Sequence, residues 1–279
     1  MIRVSGDYLQ NANMLTLDPI EKVIFNRLLE DPLTYAYRNL YELEFEIQLR
    51  SQIIHSAKLM NDSQATFEVF AQSRRNPDYW IRTMMGGFLL RADVNPSDAI
   101  KDIYINSDQY GFECATAMLI IYYHAVLNTI GKELFNRIFK YLYLYSWHSD
   151  SDLKLQTIDT DFLIPGDIVY FKNPDVNPQT PWWQGENAVV LEDGSYFGHG
   201  MGITSAEQII HFLNENRKDN STRSAYLHKT VTRPNFRYLA NVSSNRNLDK
   251  PQLEVIHHGE PSISSSKYLY YLNMFYLKN

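Results

Sequence analysis

The stretch that decides the fold is Gly111-Phe-Glu-Cys-Ala-Thr-Ala-Met-Leu-Ile-Ile-Tyr-Tyr-His-Ala-Val-Leu127. Its part from Ala115 to Leu127 is mostly apolar and thirteen residues long. That is shorter than the roughly 20 residues that a membrane-spanning helix needs, and it is typical of a buried helix. Gly131 follows, and glycine is common just after a helix C-terminus. The stretch therefore predicts a buried central helix over about 112–130 and no membrane association.

The only cysteine of the chain, Cys114, stands at the start of this helix. One cysteine in 279 residues excludes an internal disulfide and a multi-cysteine metal site. Free cysteines are usually inert buried residues. A helix N-terminus, however, carries unpaired N–H groups and partial positive charge, which lower the pKa of a thiol and can bind a developing oxyanion. On these residues alone, a nucleophile and an inert structural cysteine stay equally open.

Helix patterns come before the central stretch and strand patterns after it. Apolar residues recur at helical spacing from Leu40 to Ala57, and residues 1 to about 100 look mainly helical. Ile168-Val-Tyr-Phe171 has the composition of a strand. This order predicts an α+β fold, in which the helix bearing the cysteine packs on an antiparallel sheet and further helices precede it. A change of composition divides the chain into a domain at 1–238 and a Ser/Asn-rich linker with a Tyr-rich extension at 239–279.

Asp193-Gly194 lies between two strand-like runs and predicts a β-hairpin. If the turn has two residues, His199 lies opposite Ala188. Glu186 is then a diagonal neighbour of His199 on the same face, about 7–8 Å away. A four-residue loop keeps that arrangement and a three-residue loop removes it. Without further information, a catalytic pair and two residues on a solvated sheet face are equally consistent with the pattern.

Cys114, Glu186 and His199 together suggest a thiol enzyme. Papain-like enzymes place a cysteine at a helix N-terminus against a histidine on a neighbouring antiparallel strand. This chain can supply that geometry and adds a carboxylate. Each of the three signals is moderate, and their agreement favours catalysis.

The charge of the chain limits its partners. The net charge is −6, the isoelectric point is near 5.8, and no cluster of basic residues is present, which argues against nucleic-acid binding. The first residues lack the apolar core of a signal peptide, so we expect synthesis in the cytoplasm. No acidic calcium-binding loop is visible, and the scattered histidines offer no metal site, so we expect neither a metal nor a cofactor.

Several segments resemble the spore protein-glutamine γ-glutamyltransferases of Bacillus-type bacteria. The likeness runs in order, with similar spacing, from residue 1 to about 237. The segments that carry it are Phe112-Glu-Cys-Ala-Thr-Ala117, Ile120-Ile-Tyr-Tyr123, Asp167-Ile-Val-Tyr-Phe-Lys-Asn-Pro174, Gly185-Glu-Asn187 and Tyr196-Phe-Gly-His-Gly200.

The resemblance implies a single papain-like domain related to bacterial cell-wall cysteine amidases. It places the nucleophile at Cys114, the catalytic glutamate at Glu186 and a supporting histidine at His199. We expect Glu186 to be the acid/base group, with His199 orienting it or sharing its proton.

Members of this family hold the cysteine in a tunnel, which makes Trp147 and Trp183 candidate walls, although core tryptophans are equally consistent. Asn187 and Glu113 are further candidates for the tunnel. Glu113 is the weaker of the two, because side chains at successive helical positions diverge by about 100°.

The implied reaction joins a glutamine and a lysine of protein substrates through a cysteine thioester, giving an isopeptide cross-link without calcium. The implied setting is the spore coat, to which the protein would be delivered after synthesis in the sporulating cell. Two alternatives stay open. One is a papain-like cysteine peptidase or amidase, in which water replaces the amine. The other is a non-catalytic structural coat protein, which the chain's twenty tyrosines would suit.

Overall fold

A computed structural model describes residues 1–244 and, beyond them, the backbone of two short strands at 255–256 and 263–264. The predicted linker and Tyr-rich extension therefore lie largely outside the described residues. The helices of the described residues are α1 (Pro19–Glu30), α2 (Leu40–Asn61), α3 (Pro96–Ile105), α4 (Cys114–Ile130), α5 (Lys132–Ile138), α6 (Ala206–Glu215) and α7 (Phe236–Ser244).

The strands form one larger sheet and several small ones. In chain order they are β1 (Ile2–Val4), β2 (Asp7–Leu9), β3 (Tyr35–Tyr37), β4 (Thr66–Phe67), β5 (Trp80–Arg82), β6 (Phe88–Leu90), β7 (Gly111–Phe112), β8 (Tyr143–Leu144), β9 (Gln156–Asp159), β10 (Ile168–Lys172), β11 (Gly185–Val190), β12 (Tyr196–Gly198), β13 (Gly202–Thr204), β14 (Tyr226–Arg233), β15 (Val255–Ile256) and β16 (Ile263–Ser264).

The larger sheet occupies the second half of the described chain. Its strand order is β13-β12-β11-β10-β14-β9, and every neighbouring pair is antiparallel. Helix α4 packs against β11 and against α2, and every residue from Cys114 to Leu127 is buried. The predicted α+β fold, with the cysteine-bearing helix on an antiparallel sheet and helices before it, is confirmed.

The ends of α4 follow from local chemistry. Glu113 precedes the helix with extended backbone angles, and its side chain accepts hydrogen bonds from the first turn, as an N-cap residue does. Gly131 ends the helix with a φ of 82°, a conformation that favours glycine. The prediction of a helix over about 112–130 is confirmed. Among the described helices, none combines the length and the apolarity that crossing a membrane requires.

The hairpin at Asp193-Gly194 forms, but its loop has three residues, 192–194. The N–H of Leu191 donates to the carbonyl of Ser195 at 2.9 Å and closes the loop, and Gly194 has a φ of 84°. In a three-residue loop the glycine takes the left-handed position after a tight turn. The predicted two-residue turn is therefore wrong.

The longer loop changes which residues share a face. Ala188 pairs with Gly198 and not with His199. Because side chains alternate along a strand, Gly198 now lies on the face of Glu186, and His199 points away from that face. The expectation that Glu186 and His199 point into one space is contradicted by this register.

The first hundred residues are only partly helical. The predicted helix from Leu40 to Ala57 is confirmed and continues to Asn61. Short strands of two or three residues (β1 to β6) also lie in this region, and they are too short to show an alternating pattern. At the other end, α7 continues past the predicted domain boundary at residue 238 and buries Leu239 and Val242 in the main core.

An ionic cluster joins α2 to the larger sheet. Asp167, just before β10, accepts from Arg50 at 2.8 Å, from two nitrogens of Arg233 at 2.6 Å each, and from the N–H of Ile164 at 3.0 Å. Arg50 also donates to Glu46 at 2.9 Å. These bonds connect the helix that supports α4 to strands β10 and β14.

Candidate active site

A cavity of about 1050 Å³ reaches Cys114 from the protein surface. Such a volume is at the upper end for a binding site. Glu113 and Asn187 also line it. Its aromatic lining residues are Phe67, Phe70, Trp147, Tyr170 and Trp182.

Of the two tryptophans predicted to line the tunnel, only one lies on the cavity wall. Trp147 lines the cavity. Trp183 lies behind the wall, where it stacks on Phe67 with ring centroids 5.0 Å apart and meets the ring of Phe212 at 4.7 Å. Trp182 takes its place on the lining. Trp182 and Trp183 lie in a 3-10 turn at 181–184, where successive side chains diverge by a third of a turn.

The thiol of Cys114 has contacts on two sides. The Nδ2 of Asn187 donates to Sγ at 3.4 Å, and Sγ lies 3.5 Å from the Oε2 of Glu113. The residue is only 7% exposed. The structure thus brings Glu113 and Asn187, both predicted site residues, into direct contact with Cys114.

Glu113 reaches the thiol because it is not part of the helix. As the N-cap it has extended angles, so the divergence expected between successive helical side chains does not apply. Its carboxylate accepts from the N–H groups of Ala115 and Thr116, at 3.0 Å each. These are N–H groups that the sequence left free for an oxyanion, and the structure shows them occupied.

Glu186 is fully buried in β11 beside the thiol. Neither carboxyl oxygen has a hydrogen bond of ordinary length and angle. Gly198 makes room for this carboxyl group, because a Cβ at that position would lie 3.0 Å from Oε1. Glu186 therefore occupies a space shaped for it, where its polar contacts are the backbone of His199 and the thiol of Cys114 and no cation pairs with it.

The electrostatics of the site differ from the sequence expectation. Burial, together with the charges of Glu186 and Glu113, raises the pKa of the Cys114 thiol well above its usual value. Burial and Glu113 likewise raise the pKa of Glu186. Burial and these two carboxylates outweigh the lowering of the thiol pKa that was expected from the helix N-terminus. The thiol and the carboxyl group of Glu186 interact directly, so a proton can pass between them.

The imidazole of His199 contacts Thr66 and Phe112 and not the carboxyl group of Glu186. Its Nε2 lies 3.1 Å from the carbonyl oxygen of Thr66, and its ring stacks on Phe112 with centroids 4.7 Å apart. Burial lowers the pKa of His199 to about 4, so the ring is neutral at pH 7. Only the backbone of His199 interacts with Glu186, where it acts to lower the carboxyl pKa.

Two features of the site, the contact of Asn187 with the thiol and the cap at Glu113, were not predicted from the sequence. The amide of Asn187 on the thiol was not foreseen, since a lone Gly-Glu-Asn triplet carries no such signal. The cap at Glu113 could have been found, because an acidic residue before a helix is a known capping pattern. Within residues 1–244, no three His, Cys, Asp or Glu side chains converge in a way that could hold a metal ion.

Comparison with known proteins identifies the family. The family model for protein-glutamine gamma-glutamyltransferase matches residues 1–243. A protein-glutamine gamma-glutamyltransferase of Halalkalibacterium halodurans is 48% identical over 275 residues, which is 98% of this chain and 97% of the relative. One from Bacillus cereus is 47% identical over 211 residues, 76% of each chain.

A solved structure agrees with these relatives. The transglutaminase from Geobacillus stearothermophilus, without its C-terminal extension, is 50% identical in sequence and superposes with a TM-score of 0.71. The match covers 73% of this chain and 98% of that one. These findings favour the transferase over a peptidase and over a non-catalytic coat protein. The chain therefore belongs to the protein-glutamine gamma-glutamyltransferase family and is an enzyme of the bacterial transglutaminase type.

Proposed function

We propose that Cys114 is the nucleophile that takes the acyl group from a protein glutamine and passes it to a protein lysine. The observation that carries this proposal is the position of the thiol. It lies at an aromatic cavity with carboxyl groups beside it, one of which, Glu186, is fully buried and has no cationic partner. A protein family that joins glutamine to lysine needs a group of this kind for its covalent intermediate.

In the first half of the reaction the carboxylate of Glu186 removes the thiol proton. The sulfur attacks the carbon of the γ-carboxamide, and the carbonyl electron pair moves onto oxygen. When the C–N bond breaks, Glu186 returns the proton to the leaving nitrogen and ammonia departs. A thioester on Cys114 remains.

In the second half a lysine amine attacks the thioester carbon. Glu186 takes a proton from the amine, the C–S bond breaks, and the sulfur recovers that proton. Because burial raises the pKa of Glu186, its carboxylate is a stronger proton acceptor than an exposed glutamate, and its protonated form can return the proton in the next step.

His199 supports this arrangement as a positioning residue. Its neutral ring joins Thr66 to Phe112, two residues before Cys114. It thereby helps to hold in place the segment that carries the nucleophile. We propose this role instead of the expected one, in which the imidazole shares the proton of Glu186.

The cavity favours an amine over water in the second half. Its walls include Trp147, Trp182, Phe67 and Tyr170, and the alkyl stem of a lysine can pack along these rings and displace water from them. We further propose that the substrates are spore-coat proteins, met after synthesis in the sporulating cell. The proposed reaction uses the chain's own groups throughout, so cross-linking should continue in the presence of a calcium chelator.

The test uses a glutamine-containing protein with a labelled primary amine, and it measures both incorporated amine and glutamate formed by hydrolysis. We expect Cys114→Ala and the nearly isosteric Cys114→Ser to lose about 10⁴-fold or more of the incorporation, since removal of a nucleophile has costs of this order or larger. Ammonia release by Cys114→Ala at the parent rate would refute the proposal. Glutamate as the main product of the parent enzyme would indicate a hydrolase.

A further inference from the structure

The proposed reaction places a negative charge on the substrate oxygen, and the structure limits which groups can stabilise it. Enzymes of this kind use N–H donors about 2.7–3.1 Å from the developing oxyanion. At the start of α4 the N–H groups of Ala115 and Thr116 are held by Glu113. Among the described residues that line the cavity, none is lysine, arginine or histidine. The donor must therefore be a neutral group near the sulfur.

Asn187 has such a group in place. Its Nδ2 donates to the sulfur at 3.4 Å, and the side chain is buried and lines the cavity. Hydrogen bonds from its backbone and its side-chain amide act to lower the pKa of the thiol, against burial and two carboxylates. These amides are already directed at the atom where charge develops first.

The fold explains why Asn187 can reach the thiol. The pairing of β12 with β11 ends at Ala188, and β11 packs against α4. On its other edge Asn187 pairs with Tyr170 of β10. A central strand fixes the backbone of Asn187, so its side-chain amide is already beside the thiol before substrate arrives.

We propose that the side-chain amide of Asn187 is the oxyanion donor of this enzyme, acting with the backbone N–H of Cys114. The inference rests on the proposed function of Cys114. As the C–S bond forms, the carbonyl pair moves to an oxygen that is one bond from the attacked carbon. A short movement of the Asn187 side chain then carries its hydrogen bond from sulfur to this oxygen. The amide gives up no proton, and the charge returns to the carbonyl when ammonia or the thiolate leaves.

The experiment separates charge on oxygen from charge on sulfur. Alkylation of Cys114 by iodoacetamide forms a C–S bond and releases iodide, and no charge develops on a carbonyl oxygen. The variants are Asn187→Ala and the nearly isosteric Asn187→Leu, which keeps the volume and removes the donor. We expect kcat/KM for amine incorporation to fall about 100-fold or more. We expect the alkylation rate, followed across pH to its plateau, to change by less than about tenfold.

Asn128→Ala is the matched control. Asn128 lies on α4 near its other end, is exposed, and also makes one 3.4 Å contact through its Nδ2. We expect parent rates for it in both assays. Thermal unfolding of all three variants shows whether each is folded.

Two outcomes would overturn the inference. Equal losses in both assays would mean that Asn187 acts only on the reactivity of the thiol. Unchanged incorporation would mean that it neither activates the thiol nor stabilises the oxyanion. In both cases an inactive Cys114→Ala would leave the proposed function intact, so the two failures can be told apart.

Discussion

Two buried carboxyl groups lie at neighbouring strands of the same sheet, and the protein treats them in opposite ways. Asp167 precedes β10 and Glu186 lies in β11, and both are 0% exposed. Asp167 accepts four hydrogen bonds, three of them from arginines. Glu186 has no ordinary hydrogen bond, and its nearest charged neighbours are acidic or become negative.

The pKa values follow these surroundings. Burial alone would raise the pKa of Asp167, but Arg50 and Arg233 outweigh it and hold the pKa below its usual value. Burial raises the pKa of Glu186, and Glu113 adds to the rise. A paired carboxylate holds elements together, whereas an unpaired one is available for proton transfer. The comparison separates a group placed for stability from a group placed for chemistry.

The largest effect should come from breaking the paired group. Asp167→Ala leaves two buried guanidinium groups without their main acceptor, and we expect a loss of about 3–5 kcal/mol in the free energy of unfolding. Denaturant unfolding measures it. Asp161→Ala, which removes an exposed partner of Lys229 at 2.8 Å, is the control and should cost under about 1 kcal/mol. Similar losses for both variants would contradict the assigned role of the cluster.

A smaller effect of opposite sign is expected at the unpaired group. Glu186→Gln replaces a buried carboxyl group, whose ionisation the fold disfavours, by a neutral amide. It should therefore stabilise the protein at pH 8 by about 1–2 kcal/mol while it lowers amine incorporation by about 100-fold or more. Because the folded-state pKa of Glu186 is raised, the parent loses stability as pH rises through that pKa. The gain should therefore shrink towards zero below the unfolded-state pKa of about 4.3. A variant less stable than the parent at pH 8 would show that the fold stabilises the carboxyl group of Glu186, contrary to this account.

The smallest effect concerns the pH dependence of the parent reaction. The basic form of Glu186 is needed for attack, so activity should rise with pH through its raised pKa. Glu113→Gln removes a charge that raises the pKa of both Glu186 and Cys114. The acidic limb of the pH–rate profile should move to lower pH by less than about one unit. A shift to higher pH would contradict this electrostatic account.

Patterns that act locally could be predicted from the sequence. The length and apolarity of the central stretch, with Gly131 after it, defined α4. The position of Cys114 at its start followed directly. The α+β order of elements also followed, since helical and strand periodicities differ.

What depends on one residue of register or on distant partners could not be predicted. Because the hairpin loop before Ser195 has three residues and not two, His199 does not lie on the face of Glu186. The orientation of a 3-10 turn places Trp182, and not Trp183, on the cavity wall. The raised pKa of Cys114 depends on burial and on carboxylates from two separate elements, which no single window of sequence contains. The catalytic roles of Cys114, Glu186 and His199 stay predictions until the variants are measured.

The lining of the cavity has a further consequence. Among the described residues, those that surround it include no lysine. Within that lining a thioester on Cys114 would meet no lysine amine, which disfavours acylation of the enzyme by its own lining residues. The lifetime of the loaded enzyme is then set by how often a partner delivers an amine, and a loaded form should accumulate when acceptor proteins are scarce.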